Sequence, residues 1–313
     1  MQILFYSSDG KPQSWLDALS QALPQARVQV WQHGMGAANV LPADYIVAWK
    51  PPAAMLAGHA GLKAVFNLGA GVDAILQLGA ALPPNVPIVR LDDAGMAVQM
   101  AEYVSYAILR HFRRFDDYEA QRRAGIWRPL RPHDKHNFTV GILGLGVLGS
   151  RIARAVQHFG FPLRGWSRSR KDLPGMTCFA GEEELDDFLQ GSQVLVCILP
   201  LTAETTQILS RSRLEKLPKG AYLINVARGA HVAESDLLAL IKSEHLAGAT
   251  LDVFRTEALP PQHPFWQEPR IAITPHIAAL TLREESIRQI AEKIQALEQG
   301  EPIVGIIDRS KGY

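Results

Sequence analysis

Short apolar and β-branched runs recur along the chain, separated by longer stretches with helical spacing of apolar positions. In the first hundred residues the runs fall at 2–6, 27–31, 45–49, 64–68 and 88–91, with a helical pattern at 14–23. A long helix is predicted over 98–125; it carries Glu102, Tyr103, Tyr106, Ile108, Leu109 and Phe112 near its start and then turns polar. Residues 127–136 contain Pro129 and Pro132 and read as a linker. The alternation then restarts. Strands are expected at 139–143, 163–167, 194–198, 222–226, 249–253 and 271–274, and helices at 147–159, 182–189, 234–242 and 282–299. Strands alternating with helices imply an α/β protein whose mostly parallel sheets are covered on both faces.

A length of 313 residues suggests two domains of roughly 150 residues each. The chain is 47% hydrophobic and 20% charged, as ordinary soluble proteins are, and no apolar run approaches the ~20 residues of a membrane span. Met1-Gln2-Ile3-Leu4-Phe5-Tyr6 reads as a first strand rather than a signal peptide. Cys178 and Cys197 make a poor disulfide framework, and Cys197 sits in an apolar run where a small buried thiol is expected. These points favour the cytoplasm. The formal charge of +1 comes with no basic arm or stripe, which argues against nucleic acid as a partner. The densest basic cluster, Arg164, Arg168, Arg170 and Lys171, is local and needs a local explanation.

The pattern Gly144-Leu145-Gly146-Val147-Leu148-Gly149 is weak by itself, but its context strengthens it. An apolar strand runs into Gly144 and a helical pattern leaves from Val147, the strand–turn–helix setting of a dinucleotide site. Gly144 permits the tight turn, Gly146 lets the backbone approach a pyrophosphate, and Gly149 lets helix and strand pack closely. The helix N-terminus offers N–H groups and partial positive charge to phosphate. The alternative is a plain strand–helix turn with incidental glycines.

In NAD-preferring sites an acidic residue ends the second strand and binds the ribose 2′-hydroxyl. Here that position falls on Ser167, 18 residues after Gly149, with Arg168, Arg170 and Lys171 following at once. A carboxylate would repel a 2′-phosphate, whereas serine can donate to it and arginine can grip it with a forked pair of bonds. The expected cofactor is therefore NADPH, with NADH weaker; a merely solvated basic loop is the alternative.

Arg228, Glu257 and His276 each follow a predicted strand, and ligands of doubly wound sheets bind at the carboxyl ends of strands. Reducing a 2-keto acid takes a hydride to carbon and a proton to oxygen. His276 suits proton delivery, Glu257 can orient the imidazole and favour its charged form, and Arg228 can bind a carboxylate and polarise a keto oxygen. Periodicity alone does not single these three out from ten histidines and 31 acidic residues.

Taken together, Gly144–Gly149, Leu199-Pro200-Leu201-Thr202-Ala203-Glu204-Thr205, Asn225-Val226-Ala227-Arg228-Gly229, residues 248–260 and Thr274-Pro275-His276-Ile277-Ala278-Ala279 resemble the D-isomer-specific 2-hydroxyacid dehydrogenase family, in the family's order. The segments Ala48-Trp49-Lys50-Pro51-Pro52, Leu68-Gly69-Ala70-Gly71-Val72-Asp73, His111–Tyr118, Trp166-Ser167-Arg168 and Asp308-Arg309-Ser310-Lys311-Gly312-Tyr313 are similar to the branch that reduces glyoxylate to glycolate and hydroxypyruvate to D-glycerate. Lys50 departs from that branch, where histidine is expected.

The resemblance implies two doubly wound parallel-sheet domains. A Rossmann-type cofactor domain would cover 101–280. A flavodoxin-like substrate domain would be built from 1–100 and 281–313, with the active site in the cleft between the two. It implies Arg228, Glu257 and His276 as catalytic residues. Besides Gly144, Gly146, Val147, Leu148, Gly149, Ser167, Arg168 and Arg170, it implies cofactor contacts at Leu199, Pro200, Thr205, Val226, Ala227, Asp252 and Ala278. Substrate contacts are implied at Trp49, Ala70, Gly71, Val72 and Arg228, the loop N–H groups holding the carboxylate. A homodimer through the helix around Glu102–Tyr118, a small-molecule partner, and neither metal nor membrane complete the expectation. A dinucleotide-sensing corepressor of the same fold, or a D-lactate-type reductase, are the alternative readings. Formate dehydrogenases lack the Glu partner, and phosphoglycerate dehydrogenases often prefer NAD.

Overall fold

The computed structural model describes residues 1–8, 12–35 and 39–312; Tyr313, which ends the tail segment quoted above, lies outside them. The chain divides into one unit of Met1–Gly95 with Thr281–Tyr313 and a second unit of Met96–Leu280.

The first unit runs β1 (Gln2–Ser7), α1 (Gln13–Ala22), β2 (Arg27–Val30), β3 (Tyr45–Trp49), β4 (Ala64–Asn67), α2 (Asp73–Leu76) and β5 (Ile88–Val89). Its sheet is parallel with order β2-β1-β3-β4-β5, the flavodoxin-like arrangement. Every residue of β4 and all but the last of β3 are buried, which is why these strands read as unbroken apolar runs. Ala48 pairs with Asn67, so the loops after β3 and β4 leave the sheet side by side.

The second unit begins with α3 (Met96–Phe112) and α4 (Phe115–Arg123) and continues with β6 (Val140–Leu143), α5 (Val147–Gln157), β7 (Leu163–Ser167) and β8 (Thr177–Ala180). Then follow α6 (Leu185–Gln190), β9 (Val194–Cys197), α7 (Arg211–Leu214), β10 (Ala221–Asn225), α8 (Glu234–Lys242), β11 (Leu246–Leu251) and β12 (Ile271–Ile273). Beyond this unit the chain returns to the first through α9 (Arg283–Glu298), which packs on α1. The order β12-β11-β10-β9-β6-β7-β8 reverses direction between β6 and β9, the switch point of a Rossmann sheet. Alternate strand residues feed two cores. Val194, Val196, Tyr222 and Ile224 pack toward α3 and α5, and Leu195, Cys197 and Leu223 toward α6 and α8.

Three local expectations need correction. The single helix over 98–125 is two, because Arg114 takes a left-handed backbone, φ +61°, that no α-helix tolerates in its interior. The second helix restarts with Asp116 and Asp117 in its first turn, where carboxylates complement the helix dipole. Arg110 Nε donates to Asp116 Oδ1 at 2.7 Å and Arg114 Nε to Asp117 Oδ2 at 2.7 Å, tying the corner. Strand β8, a four-residue edge strand whose residues are exposed or half-buried, was not expected. Residues 182–184 form a 3-10 turn before α6, not helix.

Near this corner His111 stacks on Tyr222, centroids 4.1 Å apart, and its Nε2 has no hydrogen-bond partner among the described residues. Burial, and then the neighbouring His133, push its imidazole down from 6.5 to about 4. Between those values the unfolded chain binds a proton that the folded chain refuses. Stability conferred by the neutral ring is therefore complete above the upper value and lost as pH falls toward the lower one, by roughly 3 kcal/mol. His111→Phe keeps the ring stack and is expected to lose less stability than the parent between about pH 7 and about pH 4.5. Urea midpoints at the two pH values check this; equal losses in both proteins would count against it.

Candidate active site

The glycine turn joins β6 to α5 at the switch point. Gly144 has φ +119°, and a Cβ there would lie 2.9 Å from the Ile198 carbonyl oxygen at the end of β9. A Cβ on Gly149 would lie 1.8 Å from the Gly144 carbonyl oxygen, so α5 rests directly on the turn. Gly146 differs: it is exposed and its Cβ would meet nothing within 4 Å. The first turn of α5 has no side-chain cap, Val147 is exposed and Leu148 half-buried. The cradle thus has two closed sides and one open side lined by amides, which fits a pyrophosphate.

At the end of β7, Ser167 Oγ donates to the Ser169 carbonyl at 2.8 Å. Arg168 is exposed and lies near Glu204, whose carboxyl is held below its ordinary value by a hydrogen bond with Thr202 and, more weakly, by this guanidinium. Two other members of the basic cluster serve neighbouring elements. Arg170 pairs with Glu184 and donates to the Cys178 carbonyl at 2.9 Å. Arg164 donates to the Asp187 carbonyl at 2.8 Å and stacks over Phe179.

Beyond β9, Leu199 is buried and the Pro200 carbonyl accepts from Thr205 Oγ1 at 2.7 Å. Beyond β10, Val226 and Ala227 are buried and lead into Arg228. Asn225 clamps this turn: its Oδ1 accepts from Ala227 N at 3.1 Å and its Nδ2 donates to the Arg228 carbonyl at 3.0 Å. Arg228 Nη1 donates to the Ala227 carbonyl at 2.7 Å. The fully buried His231 closes the turn from below. With its proton on Nε2 it donates to the Pro200 carbonyl at 3.3 Å, and Nδ1 accepts from Arg228 N at 3.2 Å. That tautomer, assigned from the network, serves both ring nitrogens.

After β11 the chain runs through Asp252 to Glu257, and after β12 through Thr274 to Ala278. Glu257 Oε2 meets His276 Nδ1 at 2.7 Å, and Glu257 Oε1 accepts from Phe254 N at 3.1 Å. The imidazole is thereby oriented with its other nitrogen, Nε2, turned away from the carboxylate. His276 has φ +56°, and Asp252 enforces this unusual backbone. Its Oδ1 accepts from Thr274 Oγ1 at 2.6 Å and Ile277 N at 2.8 Å, and its Oδ2 from Ala278 N at 2.8 Å. Tyr103 on α3 bonds Thr274 Oγ1 at 2.5 Å; burial pushes its hydroxyl up to about 12, so it stays a donor. Asn225, His231, Tyr103 and Thr274 were not singled out from the sequence. All lie in or beside the segments quoted above, but nothing local says where their hydrogen bonds go.

In the first unit, the buried Asn67 donates from Nδ2 to the carbonyls of Gly69 at 2.9 Å and Gly71 at 3.0 Å. This folds the loop after β4 back on itself. A Cβ on Gly69 would lie 2.5 Å from Trp49 Cζ3, so the indole packs directly against the loop. Ala70 and Gly71 are half-buried, while Val72 sends its side chain into the core ahead of α2. Lys50 is exposed with φ +49°, its Nζ 5.8 Å from the Trp49 ring centroid.

Residues 105–278 match the model of the D-isomer specific 2-hydroxyacid dehydrogenase, NAD binding domain. The chain belongs to the D-isomer specific 2-hydroxyacid dehydrogenase family, and its second unit carries that family's nicotinamide-dinucleotide-binding domain. Among solved structures it is 41% identical to a D-isomer specific 2-hydroxyacid dehydrogenase from Xanthobacter autotrophicus Py2 in complex with NADPH and MES (TM-score 0.93, covering 100% of this chain and 99% of that one). It is 34% identical to the NADPH-dependent glyoxylate/hydroxypyruvate reductase of Sinorhizobium meliloti in complex with NADP and sulfate (TM-score 0.91, 100% and 99%). A probable 2-hydroxyacid dehydrogenase from Rhizobium etli CFN 42, in complex with NADP, HEPES and L(+)-tartaric acid, is 32% identical (TM-score 0.92, 100% and 99%).

Proposed function

We propose that this protein uses NADPH, and NADH less well, to reduce small 2-keto acids: glyoxylate to glycolate and hydroxypyruvate to D-glycerate. The observation that carries this reading is the 2.7 Å contact of Glu257 with His276, in the unit that also holds the phosphate-ready turn. Bound NADPH supplies the hydride taken up by the carbonyl carbon. His276, its Nδ1 held by Glu257, gives the proton from Nε2 to the carbonyl oxygen. Arg228, fixed in its turn by Asn225 and His231, binds the substrate carboxylate and polarises the keto oxygen. The amides of Ala70, Gly71 and Val72, beside Trp49, take part in holding that carboxylate.

The residues that would hold the dinucleotide are Gly144, Gly146, Val147, Leu148 and Gly149 at the pyrophosphate. Ser167 and Arg168 serve the 2′-phosphate, with Arg170 secondary because Glu184 engages it. Leu199, Pro200, Thr205, Val226, Ala227, Asp252 and Ala278 lie along the strand ends toward the nicotinamide. The NADP complexes of the relatives support the phosphorylated cofactor, and the Sinorhizobium reductase supports the substrates. No helix among the described residues is long and apolar enough to cross a membrane, and we place the enzyme in the cytoplasm. Tyr106, Phe115, Ile126 and Trp127 are exposed apolar side chains of the α3–α4 region, which supports a homodimer built there.

Steady-state oxidation of NADPH and NADH with glyoxylate, hydroxypyruvate and pyruvate tests the reading. Turnover with NADPH and a preference for glyoxylate or hydroxypyruvate is expected. A higher kcat/KM for pyruvate would reassign the enzyme to the lactate type, and no turnover with any 2-keto acid would overturn the proposal. Arg168→Ala is expected to raise KM for NADPH about tenfold or more, since a charge-assisted pair is lost, and to leave KM for NADH nearly unchanged. Equal effects on both cofactors would remove the 2′-phosphate assignment.

A further inference from the structure

We infer that Glu234, at the start of α8, is a positioning residue that fastens the loop carrying Glu257 to the turn carrying Arg228. The inference rests on the acid–base roles proposed above.

Strands β10 and β11 are parallel neighbours with Asn225 paired to Leu251, so the loops leaving their carboxyl ends run side by side. They touch backbone to backbone. A Cβ on Gly229, the residue after Arg228, would lie 1.9 Å from the carbonyl carbon of Phe254 and 2.3 Å from Arg255 N. Only a glycine lets the two loops meet this closely. Contact by itself does not fix the angle between them; hydrogen bonds do.

Two successive amides of the second loop are held by carboxylates. Phe254 N donates to Glu257 Oε1 at 3.1 Å, within the loop, and Arg255 N donates to Glu234 Oε1 at 3.0 Å, across to α8. Glu234 is itself braced from behind. Its Oε2 lies 3.5 Å from His263 Nε2, and both side chains are about four-fifths buried. The His263 ring meets the buried Phe265 edge-on at 4.6 Å, and its Nδ1 accepts from Phe265 N at 3.4 Å. A bracket therefore runs from the Phe265 core through His263 and Glu234 to the Arg255 amide. Glu257 has one oxygen on its own loop and the other on His276. A swing of residues 254–257 thus moves the carboxylate and turns the imidazole with it, while Arg228 stays on the other loop. Glu234 sets the spacing between the carboxylate-binding group and the proton donor, to which reaction rates are steeply sensitive.

An open groove of 640 Å³ lined in part by Glu234, Lys242, Arg255 and His263 lies beside this bracket. Water can therefore reach the Arg255 amide when the carboxylate is removed, so Glu234→Ala folds. In the full-length enzyme, Glu234→Ala is expected to lower kcat with glyoxylate about tenfold or more. KM for NADPH and the thermal midpoint should stay close to the parent. Glu234→Gln keeps an acceptor for the Arg255 amide and is expected to restore most of the rate. Because Glu234 acts through Glu257, adding Glu234→Ala to Glu257→Gln is expected to cost much less than it costs alone.

A kcat within about twofold of the parent, or an undiminished cost in the Glu257→Gln background, overturns the inference while leaving the proposed function standing. Absence of turnover by the parent enzyme overturns both.

Discussion

His276→Ala is expected to lower kcat for glyoxylate reduction about a thousandfold, within the range that a positioned proton donor contributes, with little change in KM for NADPH. The imidazole is 45% exposed, so its removal leaves no cavity in the core and the thermal midpoint should barely move. Its Nδ1 is taken by Glu257 at 2.7 Å, leaving Nε2 as the nitrogen that delivers the proton. Without it the alkoxide formed by hydride addition must draw its proton from water, which is neither held in place nor matched in acidity. Parallel kcat and KM measurements separate this loss from weakened binding. A kcat reduced less than tenfold would remove His276 from the proton-transfer step.

Arg228→Lys is expected to cost about a hundredfold or more in kcat/KM, through both KM for the keto acid and kcat. Charge is retained, so a purely electrostatic role predicts a small effect. A geometric role predicts a large one. The guanidinium plane is fixed where Nη1 meets the Ala227 carbonyl at 2.7 Å, on a turn that Asn225 and His231 clamp. A lysine ammonium is a point charge on a flexible stem and cannot present a planar fork to a carboxylate and a keto oxygen at once. The measurement is the full kinetic set with glyoxylate and hydroxypyruvate. A loss smaller than about fivefold would mean that position, not shape, is all the reaction asks of this residue.

Much of the fold was legible because its central strands are short, parallel and largely buried on both faces, so they stand out as apolar runs whatever surrounds them. The edge strand Thr177–Ala180 lacks that property and left no trace. The break between α3 and α4 was equally hidden, since Arg114 adopts a left-handed backbone that its residue type does not announce. At the glycine turn, the reason for each position proved distinct and local: a positive φ at Gly144, an open face at Gly146, a helix resting on a carbonyl at Gly149. The basic cluster reads as one unit in the sequence, yet Arg170 and Arg164 serve neighbouring elements, while Arg168 directly follows the end of β7.

By itself the sequence determined what depends on neighbours in the chain. That includes the succession of strands and helices, the glycine turn and the absence of an acid at Ser167. What only the tertiary structure decided is which polar groups meet. Tyr103 and Thr274 are 171 positions apart. Asp252 fixes a backbone more than twenty positions later. Glu257 reaches His276 from the loop after β11 to the loop after β12, and Glu234 reaches the Arg255 amide from the start of α8. The physical reason is that apolar burial is non-directional and needs only a pattern, whereas a hydrogen bond requires its partner within about 3 Å and well aligned. Only the folded backbone supplies that alignment.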